Sequence, residues 1–600
     1  MKKALLVVGI CIVAVLVVLG LIAFFGSYRA YGELKTAKNL LFSAKDSLEK
    51  RDIESAAAGF ARAREHIKKA DSQLKAHKFS VGFLKIIPYA GTQIRALDRY
   101  VQVGGHLSKA GTLLIGAIRG VPGLDAASAQ GQEGIGTMVD TLTRLGNDLA
   151  PVEKELQSAQ QESRAIKTGW LIGSASRMKV ELDQKLDAAL EGLQKARKLM
   201  TAFSGIMGAE GGPPKTYLLL QQSCYELRAS GGLISTYGVL ECSHDSIKLA
   251  DYQRSSTSNT LPFGLANGEG FPPLPPLGGY LASFGIAEPT MNFWDAGWWP
   301  DLPETTDVLS KIWSKNGKAP VDGYIAMDPI AIQYGLEQIG PIEMPEFGET
   351  VTAENMAELI LFNLEIEKNV AFLKSLAARF FQKVTEATPD QWFSLGRAFG
   401  RALAEKHMLL YFKDPGVQQS FSELDWSGEV KQSDGDYLMA VDSNVGGNDV
   451  SAYKANRWIK PKMSVEVTRQ KDSTLRHHVT YTFDYTSGPK EYPLEYESYL
   501  RLYVPEGAVI EGAVAKAASG FVVLGRDSGK QVFGKLVSVP IGKVETVVFD
   551  YVTPGYRSML IQKQSGQVNF DVNFVLLEGG SIKKEQVVKL VNKARLDLNK

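Results

Sequence analysis

An arginine beside a paired-glycine turn is a combination that holds phosphate, and this chain carries one in Glu226-Leu227-Arg228-Ala229-Ser230-Gly231-Gly232. A guanidinium grips phosphate oxygens bidentately, and backbone N–H groups of a turn add to it. Transfer of a pyrophosphate-linked group also needs carboxylates, to hold a divalent cation or to take a proton. Glu226 and Asp322 are the candidates beside Arg228, and a divalent cation is the one cofactor this chemistry invites. A structural reading competes with the chemical one. Glu226 and Arg228 make an ion pair, and Gly231-Gly232 supply positive φ for a turn.

Three tryptophans, Trp294, Trp298 and Trp299, crowd into Asn292 to Asp301 among Gly and Pro. They suit stacking on sugar rings or an apolar tail, and equally the filling of a core under a loop. Other reaction classes lack their signatures. No G-x-S-x-G, Walker A, H-E-x-x-H or dinucleotide fingerprint is present. His477 and His478 fall in β-type sequence, so they point to opposite faces and do not readily share a metal. The cysteines, Cys11, Cys224 and Cys242, make no CxxC-type site. Cys224 and Cys242 pair only if the domain is outside the cytoplasm, and the register about Ser230–Gly232 does not set them opposite. The alternative is two buried, small apolar residues. Asp436, Asp442, Asn444 and Asn448 are oxygen donors, but their spacing is not an EF-hand loop, and a capped turn is expected.

The elements that position these residues change character along the chain. Gly205 to Pro214 is a Gly/Pro junction. Beyond it, Tyr217–Leu220 reads as a buried strand, followed by strands over Leu233–Cys242, Ser246–Asp251 and Val321–Asp328. Helices are expected over Thr305–Asn316 and Pro329–Gln338, the second stopped by Gly340-Pro341, with more helix over 353–410. Strands alternating with helices predict a layered α/β domain over 204–448. Ser255 to Gly279, rich in Ser, Pro and Gly, is a long loop.

The rest of the chain frames that domain. At 600 residues several domains are expected, and a net charge of +1 gives no drive toward nucleic acid. Lys2-Lys3 precedes an uncharged run, Ala4 to Phe25, long enough to span a bilayer and lacking a signal-peptide cleavage site. Residues 1–27 therefore read as an uncleaved signal anchor with a cytoplasmic N-terminus, a bilayer partner over 4–25, and the bulk of the chain extracytoplasmic. Residues 28–203 show helical periodicity and form a stalk, either a plain bundle or a partner-binding spacer. Residues 449–600 carry seven short strand runs, which predict an immunoglobulin-like β-sandwich, and Lys583–Leu598 suits a terminal amphipathic helix. The fold class is multidomain α+β.

Several of these motifs together resemble a bacterial family known as domain of unknown function 4012. They are Glu226-Leu227-Arg228, Gly231-Gly232, Trp299-Pro300-Asp301, Asp322-Gly323, Asp328-Pro329, Gly340-Pro341 and Asp442 to Asn448. The order of anchor, helices with an Ile86-to-Gly91 break, and terminal β module is similar too. That family name carries no activity. A weaker resemblance is to the LytR-CpsA-Psr phosphotransferases, which are anchored in the same way and attach lipid-linked glycopolymers to cell wall. It implies roles for Arg228, Ser230, Asp322 and Asp328, although their S-x-P-R-D signature is missing. The expected function is handling of envelope glycopolymer or polysaccharide, with glycan or polyprenyl-phosphate lipid as partner. The alternative is a non-catalytic envelope scaffold or glycan-binding module.

Overall fold

The computed structural model describes residues 28–599 except 49, 51, 77–87, 120, 122–134, 170, 209, 256–260, 262, 266–289, 364–368, 447–449, 489–495 and 513–520. The expected anchor over 4–25 and most of the expected loop over 255–279 lie outside the described residues. Among the described residues no helix is long and apolar enough to cross a membrane. Contacts divide the chain into two units, through Gly205 and from Ile206 onward.

The first unit is helical: α1 (28–48), α2 (Ile53–Ala76), α3 (Pro88–Arg119), α4 (Ile135–Arg164) and α5 (Gly173–Met207). Asp52 starts α2 as the sequence indicates, its Oδ1 accepting from Ser55 N at 3.0 Å. Small residues set how closely these helices approach. Ala44 of α1 lies against Gly59 of α2, and the Phe60 ring fills the space where a Cβ on Gly111 of α3 would stand.

The second unit opens with a five-stranded sheet. Its strands are β1 (Lys215–Ser223), β2 (Leu233–Ser243), β3 (Ser246–Arg254), β4 (Gly323–Met327) and, after a small hairpin of β5 (Ile342–Met344) and β6 (Glu349–Val351), β7 (Met408–Phe412). Their order is β3-β2-β1-β4-β7. β1 pairs antiparallel with β2 and parallel with β4. The run Tyr217–Leu220 is buried, as a central strand covered on both faces must be. Helices α6 (Leu302–Lys315), α7 (Pro329–Ile339), α8 (Met356–Leu361), α9 (Val370–Thr385), α10 (Pro389–Ala404) and α11 (Pro415–Glu423) accompany it. α6 and α7 have Pro in their first turn and an Asp cap, Asp301 and Asp328. Gly340 ends α7 at φ 75°.

Two six-stranded sheets follow. Their strands are β8 (Asp436–Gly446), β9 (Lys460–Arg469), β10 (Leu475–Asp484), β11 (Tyr496–Val504), β12 (Val509–Ile510), β13 (Phe521–Asp527), β14 (Lys530–Val539), β15 (Val544–Thr553), β16 (Ser558–Gln562), β17 (Phe570–Glu578), β18 (Ser581–Leu590) and β19 (Lys593–Asp597). The orders are β12-β15-β10-β9-β17-β18 and β13-β14-β11-β8-β16-β19. Both sheets feed one apolar core that includes Val465, Val479, Phe549, Leu500, Phe533 and Ile561. Each sheet contains one parallel pair, β9 with β17 and β8 with β16, which an immunoglobulin-like arrangement of antiparallel strands does not have.

Two expectations need correction. Lys583–Leu598 is not a helix; it belongs to strands β18 and β19. Its Lys, Glu and Leu are good helix formers, but pairing with β17 and β16 overrides that weak local preference. Asp436–Gly446 is not a capped turn; it is β8, an inner strand whose polar side chains find partners far away in sequence.

Candidate functional site

β1 delivers the chain into a tight loop over 224–232. Glu226 N donates to Ser223 O at 3.0 Å, Gly231 N to Arg228 O at 3.0 Å, and Leu233 N to Glu226 O at 2.9 Å, where β2 begins. Gly231 and Gly232 stand at φ 130° and 151°, a region that L side chains rarely adopt. A Cβ on Gly232 would collide with Ser223 O. The turn accounts for both glycines without a ligand.

Arg228 and Glu226 are brought together and buried, 7% and 4% exposed. One Nη of Arg228 is 3.7 Å from Glu226 Oε1 and 3.3 Å from Asp295 Oδ1. The other donates to Leu227 O at 3.4 Å and to Asn444 O in β8. Glu226 Oε2 receives Lys454 Nζ at 2.7 Å. Arg228 and Lys454 thus face Glu226 and Asp295, two charges of each sign. The guanidinium is committed to protein acceptors.

Asp322 is elsewhere. It sits just before β4, where its Oδ2 accepts from Thr216 N at 2.8 Å and its Oδ1 meets Lys215 Nζ at 3.3 Å. Register places Gly323 beside Tyr217 and Met327 beside Gln221. Asp322 therefore marks the amino end of β4, opposite Thr216, and the Arg228 loop follows the carboxyl end of β1 at Ser223, about 23 Å of strand away at about 3.3 Å per residue. Glu226 and Asp322 do not fit a shared cation. Among the described residues no group of three or more His, Cys, Asp or Glu is placed to hold a metal.

The tryptophans are mostly core. Trp298 and Trp299 are buried, and Trp294 is half-buried. The Trp298 ring stacks on Tyr499 at 6.1 Å with a 2° interplanar angle, and the Arg501 guanidinium lies 4.7 Å from its centroid. Ser230, wholly buried, donates its N–H to Gly297 O of the same tryptophan turn at 3.1 Å.

Asp328 is buried as the cap of α7, its Oδ1 accepting from Ile330 N at 2.9 Å and Ala331 N at 3.1 Å. Its Oδ2 is 2.6 Å from His407 Nδ1, which no pattern in the sequence foretold. Cys224 lies against the same carboxyl. Burial, reinforced by Asp328, pushes its thiol well above the ordinary range. Cys224 and Cys242 are free, and they flank opposite ends of β1, since Cys242 pairs with Lys215.

In open α/β sheets ligands bind outside the carboxyl ends of the strands. Here the run Gln562–Gln567 fills that place. Gln564 donates to Arg228 O at 3.1 Å and to Asp442 O at 2.7 Å. Gly566 N donates to Lys406 O at 2.8 Å, and a Cβ on Gly566, at φ 75°, would collide with Gly231 O. Among the described residues, two cavities border the loop. One, of about 20 Å³, is bordered by Gln222, Ser223 and Lys454; the other, of about 50 Å³, by Cys224, Asp442 and Gln567. Such volumes hold one water or a few, not a sugar ring. Nothing in the run Gln562-Lys563-Gln564-Ser565-Gly566 announced where it docks.

A mixed sheet with helices, joined through buried polar contacts to two further sheets, defines the class as a mixed α and β protein. Residues 212–363 match the family model described as protein of unknown function (DUF4012). The match covers β1 through α8, with the Arg228 loop, the tryptophan turn, Asp322 and Asp328 inside it. Comparison with curated proteins and with solved structures gives no match.

Proposed function

We propose that this protein is a non-catalytic scaffold of the cell envelope, single-pass and held at the outer side of the membrane by residues 4–25, with its two terminal sheets stacked as a sandwich. The observation that carries this reading is the use made of Arg228. Its guanidinium is spent on Asn444 O, Glu226 and Asp295, and the edge of the sheet above it is filled by Gln562–Gln567. A phosphotransferase site needs a free guanidinium near a carboxylate pair, and Asp322 stands at the other end of the strand. Buried Trp298 and Trp299 likewise favour a structural role over a glycan grip.

The test is lipid retention and transfer by the full-length chain in detergent. Wild type and Arg228→Lys, checked for equal folding by circular dichroism, are purified from the same membranes. Polyprenyl-phosphate lipid is then extracted, and both proteins are incubated with a polyprenyl-diphosphate-linked oligosaccharide and Mg²⁺. The scaffold reading expects equal, background lipid in both and no release of polyprenyl phosphate. Lipid or turnover in wild type that Arg228→Lys loses overturns it.

A further inference from the structure

Lys563 is 1% exposed and has no carboxylate partner among the described residues. Its Nζ faces three neutral oxygens: Gln567 O at 2.5 Å, Glu405 O at 2.7 Å and Asn569 Oδ1 at 3.1 Å. A buried ammonium without a counter-ion sheds its proton readily. Burial pushes this amine down to about 7, against the opposing pull of Asp328 and Glu405. A neutral primary amine is a nucleophile. The atom in reach is Asn569 Cγ, one carbonyl bond of about 1.23 Å beyond Oδ1 and so within about 4.3 Å of the amine.

We propose that Lys563 and Asn569 join in an isopeptide bond that closes the 563–569 loop. Lys563 Nζ bonds to Asn569 Cγ, and the Cγ–Nδ2 bond breaks. Of the two protons on the neutral amine, one stays on the new amide and one passes to Nδ2, which leaves as ammonia. The balance is amine plus carboxamide to amide plus ammonia, with no oxidant, reductant or activated co-reactant. The geometry gives the reaction a purpose. The loop so closed is the one that fills the carboxyl edge of the five-stranded sheet, and the crosslink holds the Gly566 turn against Gly231. It also replaces a costly buried amine with a neutral amide hydrogen-bonded by the same carbonyls.

Tryptic mapping of the denatured full-length chain decides the matter, because trypsin does not cut after an acylated lysine. Cleavage sites at Arg557, Lys563 and Lys583 bracket the loop. The expected product is one peptide, 558–583, uncut at Lys563 and lighter than its sequence by one ammonia, about 17 Da. Asn569→Ala restores cutting at Lys563, giving 558–563 and 564–583 at full mass. Full-mass cut peptides from wild type overturn the proposal. So does a 564–583 peptide lighter by one ammonia with Lys563 cut, the loss then being a succinimide at Asn569 or pyroglutamate at Gln564.

Discussion

Glu226 Oε2 lies 2.7 Å from Lys454 Nζ across 228 residues of sequence. The contact fastens the loop after β1 to the 3₁₀ turn over Val450–Arg457 that precedes β9. Asn456 works beside it: its Oδ1 accepts from Leu227 N at 3.0 Å, and its Nδ2 donates to Tyr496 Oη at 2.9 Å. The Glu-Leu-Arg element is thus a joint between the five-stranded sheet and the two sheets that follow.

If the joint is structural, breaking it must cost stability. Glu226→Gln leaves Lys454 and Arg228 facing one carboxylate, Asp295, in a buried setting. Removing one partner of a buried pair costs about 3–5 kcal/mol. Glu226→Gln is therefore expected to lower the unfolding free energy from denaturant titration by that amount, and the Glu226→Gln/Lys454→Met double variant to lose much less than the sum of the two singles. Additive losses in the double-mutant cycle would mean that the two side chains do not interact.

The tryptophans separate core from surface. Trp298 is buried against Tyr499 and Arg501, whereas Trp294 is half-buried. Trp298→Ala is expected to cost about 3–5 kcal/mol, and Trp294→Ala clearly less. Thermal unfolding of both variants checks the order. Equal effects would place Trp298 outside the core.

Cysteine accessibility checks the sheet from another side. Both described thiols are free and buried, with burial pushing Cys242 to about 12 and Cys224 well up. Neither is expected to react with a thiol reagent at pH 8 in the folded chain, since the thiolate is the reactive form. In denaturant without reductant both label. Labelling only after reduction would reveal a disulfide, which requires a register other than Lys215 beside Cys242.

The local elements were legible where local chemistry decides them. Tyr217–Leu220 and Val321–Asp328 have continuous apolar runs and became β1 and β4; Asp328-Pro329 and Gly340 mark the ends of α7. The Glu226–Arg228 pair and the positive φ of Gly231 and Gly232 also follow from the structural reading of that motif. Long-range placement was not legible. Asp436, Asp442, Ser443 and Asn444 looked like a polar link because several of their partners, Tyr496, Ser498, Arg501 and Gln564, lie 50 or more residues away. His407 gave no signal because its meaning depends wholly on standing beside Asp328. His477 and His478 show the converse, since strand alternation alone implies that one is buried and one exposed, as found.

One carboxyl links stability to pH with a definite sign. Burial, helped by Asp527 and Asp301, raises Glu304 to about 7 from an ordinary 4.5. The folded chain then holds a proton that the unfolded chain has released between about pH 4.5 and 7. Its contribution is present at pH 4.5 and is lost as pH rises toward 7. Glu304→Gln removes the ionisation and leaves intact the cap of α6, which uses the backbone N–H of residue 304. Because Glu304 is only partly buried, the gain is set at about 1 kcal/mol. The variant is therefore expected to unfold at higher denaturant than wild type at pH 8 and to match it at pH 4.5. A difference that is constant across that range would show that Glu304 is not the group that titrates there.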